Sequence, residues 1–162
     1  MMAAPEITAS TRYSAKGTAR YVFCTTLSDI ESPTRAEIDA GTDLSRQVQD
    51  IDGWTVESES IETPDLASTF TGSIPGSTSA DDSSLTMYAD LGGTDVRTLL
   101  PRGTNGFMLV MRAGDADGRM MDVFPVRVGS TAVNITVDDD PVTITVNFSV
   151  TSEPAENVTI PT

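Results

Sequence analysis

The clearest pattern in the chain is a strict alternation of apolar and polar residues close to its C-terminus. From Val142 to Thr151 every second residue is apolar, and the residues between them are threonine, asparagine or serine. Because successive side chains of a strand point to opposite faces, this alternation predicts a half-buried antiparallel strand. Residues 132–137 repeat the pattern before an acidic turn that spans Asp138–Pro141, so these two segments are predicted to be consecutive strands.

Runs of aromatic and β-branched residues between turn signals predict the other strands. They lie at residues 20–26, 53–62, 68–74, 83–90, 107–112 and 119–128. Pro75 and Gly76, with the polar residues 77–82, predict a turn between two of these strands.

A short helix is predicted to begin after Thr34, because Thr34 and Glu37 have the spacing of a capping box and Gly41 is a natural stop. Residues 95–100 are predicted to form a helical turn that Pro101 ends. The sequence therefore predicts a mainly β fold, a β-sandwich or barrel of antiparallel strands with one short flanking α-helix. We expect a single β-sandwich domain over residues 19–151, an N-terminal arm at 1–18 and a C-terminal arm at 152–162.

The composition argues against most kinds of catalytic and metal-binding site. The 162-residue chain has 24 acidic and 10 basic residues, a net charge of −14, and no histidine, so it lacks the commonest general base and transition-metal ligand. Its one cysteine, Cys24, lies in an apolar run and is expected to be buried. Asp115-Ala116-Asp117-Gly118 resembles the start of a calcium loop but lacks the downstream glutamate, so a turn is expected. We predict no catalytic residue, no cofactor and no metal.

Charge is distributed unevenly along the chain. Residues 29–65 contain eleven acids and two arginines, a local charge of −9, whereas residues 102–127 contain four arginines and three acids, a local charge of +1. These regions could meet across a subunit contact, or the acidic region could be a solvated loop. Residues Glu57 to Ser60 are polar at every position, which predicts an edge strand or a wall that faces water.

Several blocks resemble, in order and spacing, the actinophage type of bacteriophage major tail protein, the tail tube protein. They cover roughly residues 20–161 and lie at 33–41, 53–54, 72–76, 82–90 and 121–126. The first is Pro-Thr-Arg-Ala-Glu-Ile-Asp-Ala-Gly and the third is Gly-Ser-Ile-Pro-Gly.

The resemblance implies a subunit of hexameric rings that stack into the tail tube, the conduit for DNA ejection. It implies self-association, passing DNA that is not specifically bound, and tape measure, terminator and initiator proteins as further partners. The candidates for ring or inter-ring contacts are Pro33, Thr34, Glu37, Ile38, Leu44, Ile74, Pro75 and Gly76. The block at 72–82 is expected to be a loop at the ring face. We further hypothesise that Glu57, Glu59 and Glu62 face the lumen, because a negatively charged wall would not hold phosphates.

No stretch has the length of a signal peptide or a membrane span. We therefore expect synthesis in the host bacterial cytoplasm, a final location in the virion and no membrane partner. Three alternatives remain open. They are a monomeric immunoglobulin-like decoration or adhesion module, a hydrolase that uses paired carboxylates, and a related tail terminator or contractile-injection tube protein.

Overall fold

A computed structural model describes residues 3–162, which form ten strands and two short helices. In chain order these are β1 (Arg20–Cys24), α1 (Arg35–Asp39), β2 (Thr42–Asp43), β3 (Val48–Asp52), β4 (Val56–Thr63), β5 (Gly72–Ala80), β6 (Ser83–Tyr88), α2 (Val96–Leu99), β7 (Asn105–Met111), β8 (Met120–Asn134), β9 (Thr143–Val150) and β10 (Ala155–Thr159). The mainly β, antiparallel fold class is confirmed, and α2 lies where the helical turn at residues 95–100 was predicted.

Eight of the ten strands belong to one antiparallel sheet that bends at β8. Its order is β2-β1-β7-β8-β9-β6-β3, and β10 pairs with the start of β8. β8 has 15 residues; its first half pairs with β7 and β10, and its second half pairs with β9. One strand therefore links an outer layer (β2, β1, β7, β8 and β10) with a second layer (β8, β9, β6 and β3).

Two apolar clusters stabilise these layers. The larger cluster fills the space between them, where Phe124 of β8 and Phe148 of β9 meet Trp54, which precedes β4. The alternation in β9 is the cause: Ile144, Val146 and Phe148 point inwards and are at most 1% exposed. The second cluster covers the other face of the outer layer, under α1 and the C-terminal segment. Burial of both faces explains why β7 and β8 contain nearly continuous apolar runs.

Helix α1 begins as the sequence predicts. Thr34 accepts a hydrogen bond from the backbone N–H of Glu37, and the Glu37 carboxylate accepts one from the backbone N–H of Thr34. The Thr34 backbone N–H, together with donors from Ser28, lowers the pKa of Glu37 to about 2. Arg35 on this helix donates hydrogen bonds to both Asp39 and Asp115, which fixes the helix to the β7–β8 turn.

Residues 155–160 correct the prediction of a C-terminal arm over 152–162. β10 pairs with β8, and Ala155, Val158 and Ile160 are at most 9% exposed within the second apolar cluster. The pattern was hard to detect because the register shifts between Ala155 and Val158, so the buried positions do not alternate. This segment is therefore part of the domain in the protomer. In the predicted N-terminal arm, the described residues 3–14 form no strand or helix.

Candidate functional site

Most residues of the hairpin formed by β4 and β5 are exposed. These strands pair only with each other and form a two-stranded sheet outside the main one. Nearly every residue of β4 is exposed and β4 pairs with one strand only, which agrees with the predicted edge strand or wall that faces water. A strand of eight residues spans roughly 26 Å. The hairpin therefore projects well beyond the domain, with little burial to hold it there.

The two faces of this hairpin differ in chemistry. Glu57, Glu59 and Ile61 alternate onto one face of β4, where Ile61 lies opposite Ile74 of β5. Both isoleucines are about half exposed, at 51% and 53%. Glu62 points to the opposite face, so the three glutamates predicted to face the lumen do not share one direction. The connection at residues 64–71 adds two fully or largely exposed apolar side chains, Leu66 and Phe70.

The predicted turn at Pro75 and Gly76 is wrong, because both residues lie within β5. The chain instead turns at residues 64–71. Gly76 lies opposite Glu59 at an irregularity in the pairing, and a Cβ there would lie 2.9 Å from Ile61 Cγ1. The glycine therefore permits close strand pairing. Ile74, Pro75 and Gly76 remain candidates for contacts between subunits, as part of an exposed strand rather than a loop.

A strained two-residue joint connects the hairpin to the domain. Gly53 and Trp54 have φ values of 80° and 64°, and a positive φ is rare for a residue as large as tryptophan. The Trp54 backbone N–H donates to the Ser83 hydroxyl at 2.9 Å, and its ring packs against Phe124 and Phe148. The direction in which the hairpin leaves the domain is thus fixed by a buried anchor.

The segment at residues 33–44, which includes α1, holds five of the predicted contact candidates. Pro33, Ile38 and Leu44 are buried within the protomer, since Ile38 is the residue that α1 packs against the outer layer. Their side chains pack inside the protomer, and any contact they make with a neighbouring subunit stays a prediction. Thr34 and Glu37 lie at the surface and are engaged in the helix cap; their role in contacts stays a prediction.

The second layer, formed by β8, β9, β6 and β3, has a polar face on the side away from the core. Thr86 and Thr145 hydroxyls hydrogen bond to each other, and Asn134 Nδ2 donates to Thr145 Oγ1, both at 3.1 Å. Asn147 Nδ2 donates to Ser130 Oγ at 2.7 Å. These hydroxyl and amide groups satisfy one another across three strands, so this face needs no covering by an apolar partner.

The same layer ends in two unpaired edges. Within residues 3–162, β3 pairs with β6 on one side and with no strand on the other. β8 loses its β7 partner after Arg127, and its continuation to Asn134 pairs only with β9. Free edges of this kind are templates for pairing with another chain. β3 was not predicted, although Val48 and Ile51 mark an inner face beside polar neighbours.

Two side chains that the sequence singled out for possible chemistry, Cys24 and Asp115, have structural surroundings that explain them. Burial, with a smaller effect of the Glu37 carboxylate, raises the pKa of the Cys24 thiol to about 11. Asp115, the first acid of the possible calcium loop, accepts hydrogen bonds from Arg35, which lowers its pKa. The described part of the chain holds no group of three or more histidine, cysteine or acidic side chains that could bind a metal. None of the helices in residues 3–162 has the length and apolar character needed to cross a membrane.

The comparisons with known proteins agree with the fold. The structure of the SPP1 tail tube, obtained from solid-state NMR and cryo-electron microscopy, is similar to this chain with a TM-score of 0.54 and 18% sequence identity. The similarity covers 88% of this chain and 78% of the SPP1 protein. No functionally curated protein matches the sequence.

The sequence pattern of the phage tail tube protein family matches residues 7–162, which is nearly the whole chain. The predicted actinophage subtype stays a prediction. The match extends from the N-terminal segment through the exposed hairpin to β10, and it therefore includes both unpaired edges. On these grounds the chain belongs to the phage tail tube protein family and has a structural role in the phage tail.

Proposed function

We propose that this chain forms hexameric rings by joining the free edge of β3 in one copy to the free edge of β8 in the next, and that the rings stack into a tube that conducts DNA during ejection. The observation that carries the proposal is the position of these edges on opposite sides of one four-stranded layer. Neighbouring strands of that layer alternate in direction, so β3 runs opposite to β8.

Rotation about a ring axis keeps the direction of every strand along that axis, so the two edges would meet as an antiparallel pair. Closure in this way removes both unpaired edges from the protomer. In every copy the polar face of this layer then has the same orientation relative to the ring axis. The ring therefore gains one continuous surface of hydroxyl and amide groups.

This polar face is the stronger candidate for the wall of the lumen. Its hydroxyl and amide groups are already paired, and Asp50 and Asp52 add negative charge along β3. A wall with few cations forms few phosphate contacts, so DNA can move along it. Glu57, Glu59 and Glu62 remain an alternative set, weakened because Glu62 points away from the other two.

The tube role also suggests where the chain acts. A tail component would be made in the host bacterial cytoplasm and would act in the virion. Its further partners would be the tape measure protein inside the growing tube and the initiator and terminator proteins at its ends. The exposed hairpin is the element with the length to reach from one ring to the next.

Edge pairing can be tested by crosslinking Asp50→Cys to Ala132→Cys in one double variant. Both positions are exposed and lie on the polar face near the two free edges. A short bifunctional maleimide should produce a ladder of oligomers that ends at the hexamer, alongside hollow rings or tubes in negative-stain electron microscopy. The two single variants are the matched controls and should give no ladder. Rings that fail to crosslink, or a ladder that ends at the dimer, would contradict edge pairing.

The lumen wall can be tested in phage assembled with variant subunits. Thr145→Lys places one new cation per copy on the polar face, and Glu62→Lys places one on the hairpin. We expect Thr145→Lys to slow DNA ejection, with normal tube length, and Glu62→Lys to leave the ejection rate unchanged. The opposite result would restore the glutamates as the lumen residues.

A further inference from the structure

The polar face of the second layer carries opposite charges at its two sides. Asp50 and Asp52 lie on β3, the strand at one free edge. Arg127 of β8 lies opposite Ser149 of β9, and it is the one cation among the residues of β3, β6, β8 and β9. All three charged side chains are exposed, and within residues 3–162 none of them forms an ion pair.

Arg127 lies where the free edge of β8 begins. The Gly103 N–H donates to the Val128 carbonyl, and the Val128 N–H donates to the Thr104 carbonyl, both at 2.8 Å. Beyond Val128 this edge has no partner within the described part of the chain. A Cβ added to Gly103 would lie 3.7 Å from Arg127 Nη2. The guanidinium group of Arg127 therefore lies beside the segment that ends the paired part of the edge.

The cross-strand rows of this layer predict which acid reaches Arg127. One row runs from Asp52 of β3 through Ser84 and Asn147 to Ser130 of β8. Continued into the next copy of a ring, this row sets Asp52 opposite Ser130. Arg127 lies one row further on the same face, because its partner on β9 and the partner of Ser130 are two residues apart. Diagonal neighbours of this kind are roughly 7–8 Å apart, within reach of a long side chain.

We propose that Asp52 of one copy forms an ion pair with Arg127 of the next copy in the ring, and that this pair fixes the register of the edge contact. The inference rests on the proposed pairing of β3 with β8 and deepens it, because it names the charges that align the two edges. Within one copy, β6 and β9 separate the two strands by roughly 14 Å. A second copy is therefore needed to bring the two groups together.

The register is limited in both directions. Gly103 and Thr104 occupy the edge of β8 at Val128, so β3 of the neighbouring copy cannot slide past that point. A slide of two residues the other way keeps the same side chains on the polar face, but it moves Asp52 about 7 Å further from Arg127. Loss of the ion pair opposes this slide. Because the stagger between strands sets the diameter of a closed barrel, one register gives rings of one size.

The same pair affects the proposed lumen wall. An unpaired Arg127 would place one cation per copy on the polar face, where DNA phosphates would compete for it. In the ion pair with Asp52 this positive charge is neutralised. The wall then keeps the negative charge of Asp50, so the contact that aligns the ring also prevents the wall from holding DNA.

A charge exchange tests the ion pair. Asp52→Arg and Arg127→Asp each set like charges against each other at every contact. At equal subunit concentration, the fraction in rings should therefore fall about tenfold or more in size-exclusion chromatography and negative-stain electron microscopy. Circular dichroism of the dilute variants checks that the protomers are folded. A chain with both substitutions should recover rings.

An equimolar mixture of the two single variants should also recover rings, since every contact of an alternating ring then joins opposite charges. With one variant labelled with ¹⁵N, native mass spectrometry should show hexamers that contain three copies of each. The matched controls are Arg97→Asp on α2 and Asp139→Arg in the β8–β9 turn. They make the same changes of charge at other exposed positions and should leave rings intact.

Rings of either single variant at the wild-type yield would overturn the ion pair. Recovery by the double variant without recovery by the mixture would place the pair within one copy and would overturn it as well. Normal rings of Arg127→Asp with an altered rate of DNA ejection would assign Arg127 to phosphate contacts instead. If the wild-type chain formed no rings, or its rings failed to crosslink through Asp50→Cys and Ala132→Cys, the proposed function itself would fail, and that outcome is distinguishable from failure of the ion pair.

Discussion

The joint at Trp54 leads to a prediction in which glycine is a better replacement than alanine. The indole is 8% exposed, and its centroid lies 5.4 Å from both the Phe124 and the Phe148 ring centroids. Truncation of a buried aromatic residue to alanine costs about 3–5 kcal/mol of the free energy of unfolding. In Trp54→Ala the new side chain must also keep a φ of 64°, which costs an L-residue about 1–2 kcal/mol.

Trp54→Gly loses the same ring contacts but adopts this φ without strain. The greater freedom of glycine in the unfolded chain offsets about 0.4–1 kcal/mol of that advantage, so Trp54→Gly should be more stable than Trp54→Ala by about 0.5–1 kcal/mol. With a urea m-value of about 2 kcal/mol/M, the unfolding midpoint of Trp54→Ala should fall by about 2 M. Urea titration of dilute protomers, followed by circular dichroism, measures both differences. A Trp54→Ala protein more stable than Trp54→Gly would refute the positive φ at this joint.

Three further predictions concern packing, acid stability and assembly. Gly106→Ala should destabilise the protomer by about 1–3 kcal/mol in urea titration, because the new Cβ would lie 2.7 Å from the Cys24 carbonyl oxygen. Gly129→Ala is the control and should be nearly neutral, because its Cβ would have its nearest contact at 3.5 Å. The folded-state pKa of Glu37 is lowered to about 2. The ionised carboxylate therefore stabilises the folded protein fully above its ordinary pKa of about 4.3, and this stabilisation is lost as the pH falls towards 2. Glu37→Gln should therefore lower Tm near neutral pH. Between about pH 5 and pH 2 the Tm of this variant should fall less than the Tm of the wild type, and parallel Tm curves for both proteins would contradict this. Replacement of residues 64–71 by Asn-Gly should leave Tm almost unchanged yet shorten or abolish tubes in electron micrographs, and full-length tubes would show that the hairpin tip is dispensable.

The parts of the fold that side-chain burial determines could be predicted from the sequence. The alternation over residues 142–151 gave β9 to within one residue at each end. Thr34 and Glu37 placed the start of α1 because a capping box depends only on local spacing. Burial on one face and helix capping each produce a residue pattern within a single segment, so the sequence of that segment is enough to predict the strand or the start of the helix.

The hairpin and the sheet edges depend on pairing between backbones, which leaves little trace in side-chain chemistry. β5 contains glycine, proline and serine without alternation, and for this reason it was predicted in part as a turn. Residues 120–134 form one strand where two were expected, since pairing with three different strands keeps β8 extended beyond its apolar part. Ile38 and Leu44 were predicted as contact candidates but are buried in the protomer, because an apolar residue can serve the protomer core as readily as an interface.

The single long strand β8 has a mechanical consequence for the assembled tail. It belongs to both layers, so a sideways load that reaches the edge at Asn134 passes along covalent backbone to Met120 in the outer layer. Were the two layers joined only by side-chain packing, the same load would shear one across the other. A tube that bends would therefore concentrate its deformation at the contacts between copies, and each protomer would move as a stiff unit.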